Sequence, residues 1–131
     1  STGDTLSVRF NTASGDGIIN CLGQSNASGG THTYVNTFSV DNKNQLVCSL
    51  DGADPVPLIS GVQNFKVLYG VDPTGTGSVD RLLSADDLKS SDWNAIHSVQ
   101  LTLQLVNPLA NQPGQNPSIN FVKVIDLMNR I

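Results

Sequence analysis

Charged residues are scarce in this 131-residue chain. They make up 14% of the sequence, against roughly 25% in typical globular proteins, and the formal net charge is −4. An acidic chain without a cluster of lysine and arginine is poorly suited to binding nucleic acid or an anionic membrane surface. We therefore expect no nucleic-acid partner.

Long apolar runs are also missing. No stretch of about 20 apolar residues occurs, which leaves no predicted membrane-spanning helix within the chain. A signal peptide with a basic start and an apolar centre is not recognisable either. The chain opens on Ser1 and not on methionine, from which we expect a mature or truncated product.

Only two cysteines are present, Cys21 and Cys48. A pair with none left over is typical of one disulfide in an oxidising compartment, and two buried free thiols are the alternative. No C-x-x-C spacing of the kind that binds zinc is present. The length fits one domain over residues 1–131, which is large enough to bury a core without metals or many disulfides.

The strongest structural signal is a strand pattern at residues 61–71. Its apolar side chains alternate with Asn64, Lys66 and Gly70, which predicts a strand with one buried face carrying Phe65, Val67, Tyr69 and Val71. A second run with the same period predicts a strand with one face toward the core and one face toward solvent. Its core face carries Val99, Leu101, Leu103 and Leu105.

Weaker alternation predicts the remaining strands. They cover residues 5–10, 34–40, 45–50, 79–83 and 119–128. Residues 85–88 read as one helical turn, residues 51–57 as a loop with two prolines, and residues 23–33 and 107–118 as long polar loops. No amphipathic helix longer than two turns appears. The fold class is therefore mainly β, with antiparallel sheets, long loops and little helix.

No set of residues has the pattern of a catalytic site. His97 shares the parity of Val99, which predicts a structural histidine at the edge of the core, and His32 lies in a polar loop. Asp86 and Asp87 are adjacent and point in different directions, which favours a helix start over an acid–base pair. We expect no enzymatic activity and no catalytic residues.

The loop from Asp72 to Asp80 holds the most notable polar cluster. Side chains with oxygen atoms occupy alternate positions of this loop, a spacing that suits the coordination of hard cations such as calcium. The candidate oxygen ligands are Asp72, Thr74, Thr76, Ser78 and Asp80. Only the first and last are carboxylates, and Leu83 stands where a bidentate acid is expected. A plain surface turn is the favoured reading, and Asp72 and Asp80 form at most a weak calcium site.

Several segments, in order along the chain, carry a family resemblance. They are residues 4–10, 21–23, 46–48, 61–72, 75–81, 93–101 and 127–130. They include the strand signal that ends in Tyr69-Gly70-Val71-Asp72 and the segment that begins at Trp93. Each segment is weak alone, and the specificity lies in their order and spacing. Together the segments resemble PilW-type minor pilins of bacterial type IV pili, and the resemblance covers nearly the whole chain.

The resemblance implies an assembly role. Pilins of this type carry a prepilin leader and a hydrophobic helix, which would precede Ser1 and anchor the protein in the inner membrane. The chain would then be a periplasmic, α+β pilin-like head that joins sibling minor pilins and the major pilin in a priming complex. That complex would start polymerisation and sit at the pilus tip, beneath an adhesin. The family's acidic loop is depleted between Asp72 and Asp80, so the resemblance adds no support for calcium.

Two other functions stay open. A J-type pseudopilin of type II secretion belongs to the same superfamily and would differ in its partners. A secreted, non-catalytic β domain that binds other molecules comes from a different class; a sugar-binding version would need exposed aromatics, and aromatics are 5% of this chain. No partner surface can be assigned from the sequence, although the long loops at 23–33 and 107–118 are candidates.

Overall fold

The computed structural model describes residues 3–127, so the last three residues of the 127–130 motif lie outside the described part of the chain. The chain divides into two compact units, Ser1–Gln63 and Asn64–Ile131. Residues 3–127 form two four-stranded sheets, built from antiparallel pairs, and helix within this range is limited to two short 3₁₀ segments. The mainly β fold class is confirmed, while a single domain over residues 1–131 stays a prediction.

The first unit holds a meander in which each strand pairs with the next one. Its order is β1 (Leu6–Thr12), β2 (His32–Val40), β3 (Gln45–Leu50) and β4 (Val56–Ser60). Leu6, Tyr34, Val40, Leu46 and Cys48 are buried, as their alternation predicts. Val8, whose parity also predicts burial, is 39% exposed although it shares a strand and a face with Leu6.

Strand β4 is missing from the sequence prediction, which placed a loop at residues 51–57. Pro57 lies inside the strand. Proline has no N–H to give to a sheet, so it argues against a strand except at an edge, where that position faces solvent. β4 occupies such an edge, and its register with β3 shifts between Leu46 and Val47.

A disulfide joins Cys21 to Cys48, which are 27 positions apart. Cys48 is fully buried on β3, and Cys21 lies in the loop between β1 and β2. Asn36 of β2 is buried at a position whose neighbours are apolar, and its Oδ1 accepts a hydrogen bond from the Cys21 N–H at 3.3 Å. The polar residue in an apolar pattern thus holds the cysteine loop against the sheet.

The second sheet has the order β6-β5-β7-β8. Its strands are β5 (Val62–Val71), β6 (Arg81–Leu83), β7 (Ile96–Val106) and β8 (Ser118–Asp126), with 3₁₀ helices at Ala85–Asp87 and Asp92–Ala95. The predicted inward face of β5 is confirmed, since Phe65, Val67, Tyr69 and Val71 are all buried. The predicted helical turn is present as the first 3₁₀ helix.

The burial predicted for β7 is wrong over most of the strand. Val99 is buried, but Leu101, Leu103 and Leu105 are only half-buried, and so are Thr102 and Gln104 on the other face. Alternation shows which side chains share a face, but it does not show that a second layer covers that face. The outer half of β7 therefore combines a core-like sequence with partial exposure.

Candidate functional site

Strand β8 exposes an unusual amount of apolar surface. The exposed fractions are 57% for Phe121, 60% for Val122, 53% for Val124 and 44% for Ile125. Single exposed apolar residues are ordinary, but a contiguous group of them is typical of a surface that binds another protein. The imperfect alternation of this segment in the sequence reflects apolar side chains on both faces of an exposed strand.

The pairing with β7 defines the two faces of this surface. The register runs without interruption from Ser98↔Asp126 to Val106↔Ser118. Phe121 lies opposite Leu103 and Ile125 lies opposite Val99, so one face is apolar apart from Lys123. The other face mixes valine with polar side chains. We call the first of these the β7–β8 apolar face; it comprises Val99, Leu101, Leu103, Leu105, Ile119, Phe121, Lys123 and Ile125.

An open pocket of about 540 Å³ lies on the polar face of the same sheet. Arg81 and Leu82 of β6, Ser98 and Gln100 of β7, and Val124 and Asp126 of β8 line it, together with residues 79–80. The pocket carries charges of both signs and is open to solvent, a composition that suits a polar contact surface more than an enclosed ligand site.

Asp72 lies at the end of β5 and organises the loop that follows. Its side chain is buried, and its carboxylate accepts hydrogen bonds from the Gly77 N–H at 2.7 Å and the Thr76 N–H at 3.2 Å. The hydroxyls of Thr74 and Thr76 donate to the same carboxylate. Burial raises the pKa of Asp72, but these hydrogen bonds favour the charged form more strongly and leave the pKa below its ordinary value.

The predicted calcium ligands are therefore already in use within the loop. Asp72 binds backbone N–H groups, and the Thr74 hydroxyl lies 3.3 Å from the Asp72 carboxylate and 3.4 Å from that of Asp80. Within residues 3–127, no group of three or more His, Cys, Asp or Glu side chains is placed to hold a metal ion. The arrangement shows a hydrogen-bonded turn.

His97 lies beside the carboxylate that organises this loop. Its ring is 47% exposed, and Nε2 lies 3.9 Å from Oδ2 of the buried Asp72. The prediction that His97 lies at the edge of the core agrees with this position, since Ile96 and Ser98 flank it and are buried, while its own ring is half exposed. No sequence pattern links His97 to Asp72, since the sheet brings them together across 25 positions.

The polar loop at residues 23–33 is fixed by its own hydrogen bonds. Asn26 is buried, and its Nδ2 donates to the carbonyls of Thr12 at 3.0 Å and Gly30 at 2.7 Å. Ser14 and Gly29 add a further bond. The segment was a candidate for partner binding because it is long and polar. Its polar groups form hydrogen bonds within the protein. The sequence analysis did not predict that β8 is exposed. The signal that could have indicated this exposure is the presence of apolar residues on both faces of the segment.

Within residues 3–127 no helix is long and apolar enough to cross a membrane. No curated protein matches the chain, and no solved structure matches it. The family model described as "Type IV Pilus-assembly protein W" matches residues 34–123, a span that runs from β2 into β8 and covers more than half of the chain. The chain belongs to the PilW family of type IV pilus-assembly proteins.

Proposed function

We propose that this protein is a minor pilin that works in a priming and tip complex of a type IV pilus. The observation that carries the proposal is the family match over residues 34–123, which includes most of both sheets. In this role the protein joins sibling minor pilins and the major pilin, starts polymerisation and supports an adhesin at the tip. The protein acts by binding and not by catalysis.

The exposed apolar strand supports a binding role. Phe121, Val122, Val124 and Ile125 would be costly to leave in water if they had no partner in the cell. The location that goes with this role is the periplasmic face of the inner membrane before assembly and the extracellular pilus afterwards. A hydrophobic helix ahead of Ser1 would provide the membrane anchor.

The test is a deletion of the gene in the source bacterium. We expect loss of surface pili by electron microscopy, loss of twitching motility, and recovery of both when the gene is returned. A tagged copy should co-purify sibling minor pilins. Intact pili with lost secretion would identify a J-type pseudopilin, and intact pili with intact secretion would favour a freely secreted β domain.

A surface variant locates the contact. Phe121→Asp should fold normally, because the side chain is 57% exposed, and should reduce co-purification of pilus subunits. Val56→Asp is a matched control, since Val56 is 41% exposed on β4, the edge strand of the other sheet. Equal co-purification by both variants would remove the β7–β8 apolar face from the proposal.

A further inference from the structure

We infer that two copies of this protein pair in solution through strand β8, in an antiparallel arrangement centred on Val122. The inference rests on the geometry of the sheet edge and does not depend on the role in the pilus. Three features of β8 support it: a free edge, little on that edge to block pairing with another strand, and a sequence that can pair with a second copy of itself.

The first step is that β8 is an edge strand with backbone groups turned outward. Among the described residues its only strand neighbour is β7. The Leu127 N–H donates to the His97 carbonyl at 2.8 Å, and this pair continues the register of Ser98↔Asp126. Hydrogen-bonded pairs alternate along an antiparallel ladder. Residues 119, 121, 123 and 125 therefore face β7, and residues 118, 120, 122, 124 and 126 direct their N–H and C=O groups outward.

The second step is that this edge has few of the features by which edge strands usually avoid pairing. Such strands are short, or carry a proline, a bulge or charged side chains, lysine above all. β4 has a proline at position 57 and a register shift, and β6 has only three residues. β8 runs for nine residues without proline, and its register with β7 is unbroken. Lys123 is the one charge near its middle.

The third step is that β8 fits a second copy of itself. When Val122 lies opposite Val122 of the other copy, all nine residues overlap and the outward-facing groups meet one another. Ile119 then lies opposite Ile125, Lys123 opposite Phe121, and Asp126 opposite Ser118. No like charges meet in this register, and lysine beside an aromatic ring is favourable.

The neighbouring registers are worse. A shift of two residues in one direction places Lys123 opposite Lys123, and like charges directly opposite are destabilising. A shift in the other direction places Lys123 opposite Ile119 and shortens the overlap. The charges of β8 therefore select the centred register, and the occupant that fits it is another copy of the same strand.

A proline at position 122 tests the inference. Because the Val122 N–H faces away from β7, Val122→Pro removes an outward donor and leaves the β7–β8 ladder intact. We expect the purified wild-type protein to show a concentration-dependent dimer by sedimentation or light scattering. Val122→Pro should weaken the dimer about tenfold or more, because both bonds of the central pair are lost. Val122→Thr keeps the N–H and should still dimerise.

Cross-linking tests the register without relying on the proline. Val122→Cys places two thiols directly opposite each other, about 5.5 Å apart at Cα, within the range that a disulfide spans. Asn120→Cys is the matched control, since two copies of residue 120 lie four residues apart along the strand, about 14 Å. We expect rapid covalent dimer for the first variant and little for the second.

Hydrogen exchange provides a readout in the unaltered protein. The N–H groups of Val122 and Val124 should become protected as concentration rises, while those of Phe121 and Lys123 should be protected throughout. A wild-type protein that stays monomeric at all concentrations, or a dimer that survives Val122→Pro with equal cross-linking at positions 120 and 122, would overturn the inference.

Discussion

The carboxylates of Asp51 and Asp72 accept hydrogen bonds that favour their charged form, so we expect the folded protein to lose stability in acid. The Val35 N–H at 2.7 Å lowers the pKa of Asp51, against the opposing effect of burial, and His32 adds to the lowering. The pKa of Asp72 is likewise below the ordinary value of 3.8. Each carboxylate is more acidic in the folded protein than in the unfolded chain. Its stabilisation is therefore complete above about pH 3.8 and is lost as the pH falls through the lower, folded-state pKa.

We expect Asp72→Asn to lower the Tm by several degrees at neutral pH and to flatten the fall in Tm below pH 3.8. The amide cannot accept the same charge-assisted bonds from Thr76 and Gly77. Thermal unfolding followed across the acid range checks this. Asp80→Asn, in the same loop but exposed, serves as the control. An equal acid slope in Asp72→Asn and wild type would contradict the assignment.

Calcium addition tests the loop in another way. A loop with two carboxylates, one of which already binds backbone N–H groups, should bind Ca²⁺ poorly. We expect no heat in a calorimetric titration with millimolar Ca²⁺ and no change in Tm between calcium and a chelator. A saturable signal that Asp72→Asn abolishes would show that the carboxylate leaves the loop N–H groups for a metal.

Gly70 is a close-packing position on β5. A Cβ added there would overlap the Oγ of the buried Ser98 and approach the Val79 side chain at 3.1 Å. We expect Gly70→Ala to destabilise the protein by roughly 1–3 kcal/mol, as overpacking of a filled site does. Denaturant unfolding measures the change. Adding Ser98→Ala removes the overlapping oxygen and should recover part of the loss, whereas Ser98→Ala alone should not stabilise the protein.

At the level of elements, the disulfide ties the β1–β2 loop to β3. It closes a loop across 27 positions, for which the chain-entropy model gives about 3.5 kcal/mol, within the 2–5 kcal/mol that removal of a native disulfide costs in small secreted domains. Cys21→Ala with Cys48→Ala should lower the free energy of unfolding by that amount. Reduction of the wild type should have the same effect. A much smaller loss would mean that Asn36 and the loop hydrogen bonds hold Cys21 without the bridge.

Alternation predicts a strand most clearly where one face of the strand packs against a core. β5 is the clearest example, with four inward residues that are all buried. β4 was missed because Pro57 is a valid argument against a strand everywhere except at an edge. Edge position is a property of the sheet, and no local pattern reports it. The partial exposure of Leu101 and Leu103 on the inner strand β7 has a related origin, because alternation does not show whether a second layer covers a face.

The candidate surface was less predictable than the strands. β8 was expected as a strand, but its exposure depends on what lies beside it. Asp72 was considered as at most a weak calcium ligand from the spacing of oxygens. Its partners are backbone N–H groups and threonine hydroxyls of its own loop, and backbone donors leave no mark on the residue pattern. The family resemblance, which rests on the order of several weak segments, is the functional prediction that the family match confirms.

At the level of the whole molecule, cooperativity tests the single-domain prediction. A chain of 131 residues fits one domain, and β5 runs continuously from the first compact unit into the second. Trp93 is the only tryptophan and lies in the second unit, while the disulfide lies in the first. Removal of the disulfide therefore perturbs the first unit, while Trp93 fluorescence reports on the second.

We expect one unfolding transition, with Trp93 fluorescence and far-ultraviolet circular dichroism giving the same midpoint. Loss of the disulfide through Cys21→Ala and Cys48→Ala should move both midpoints equally, because a cooperative domain transmits the loss in the first unit to Trp93 in the second. If loss of the disulfide destabilised the first unit alone, the circular dichroism transition would split into two. The midpoint measured by Trp93 fluorescence would then stay unchanged. That result would replace the single domain with two independently folding units, each with its own sheet.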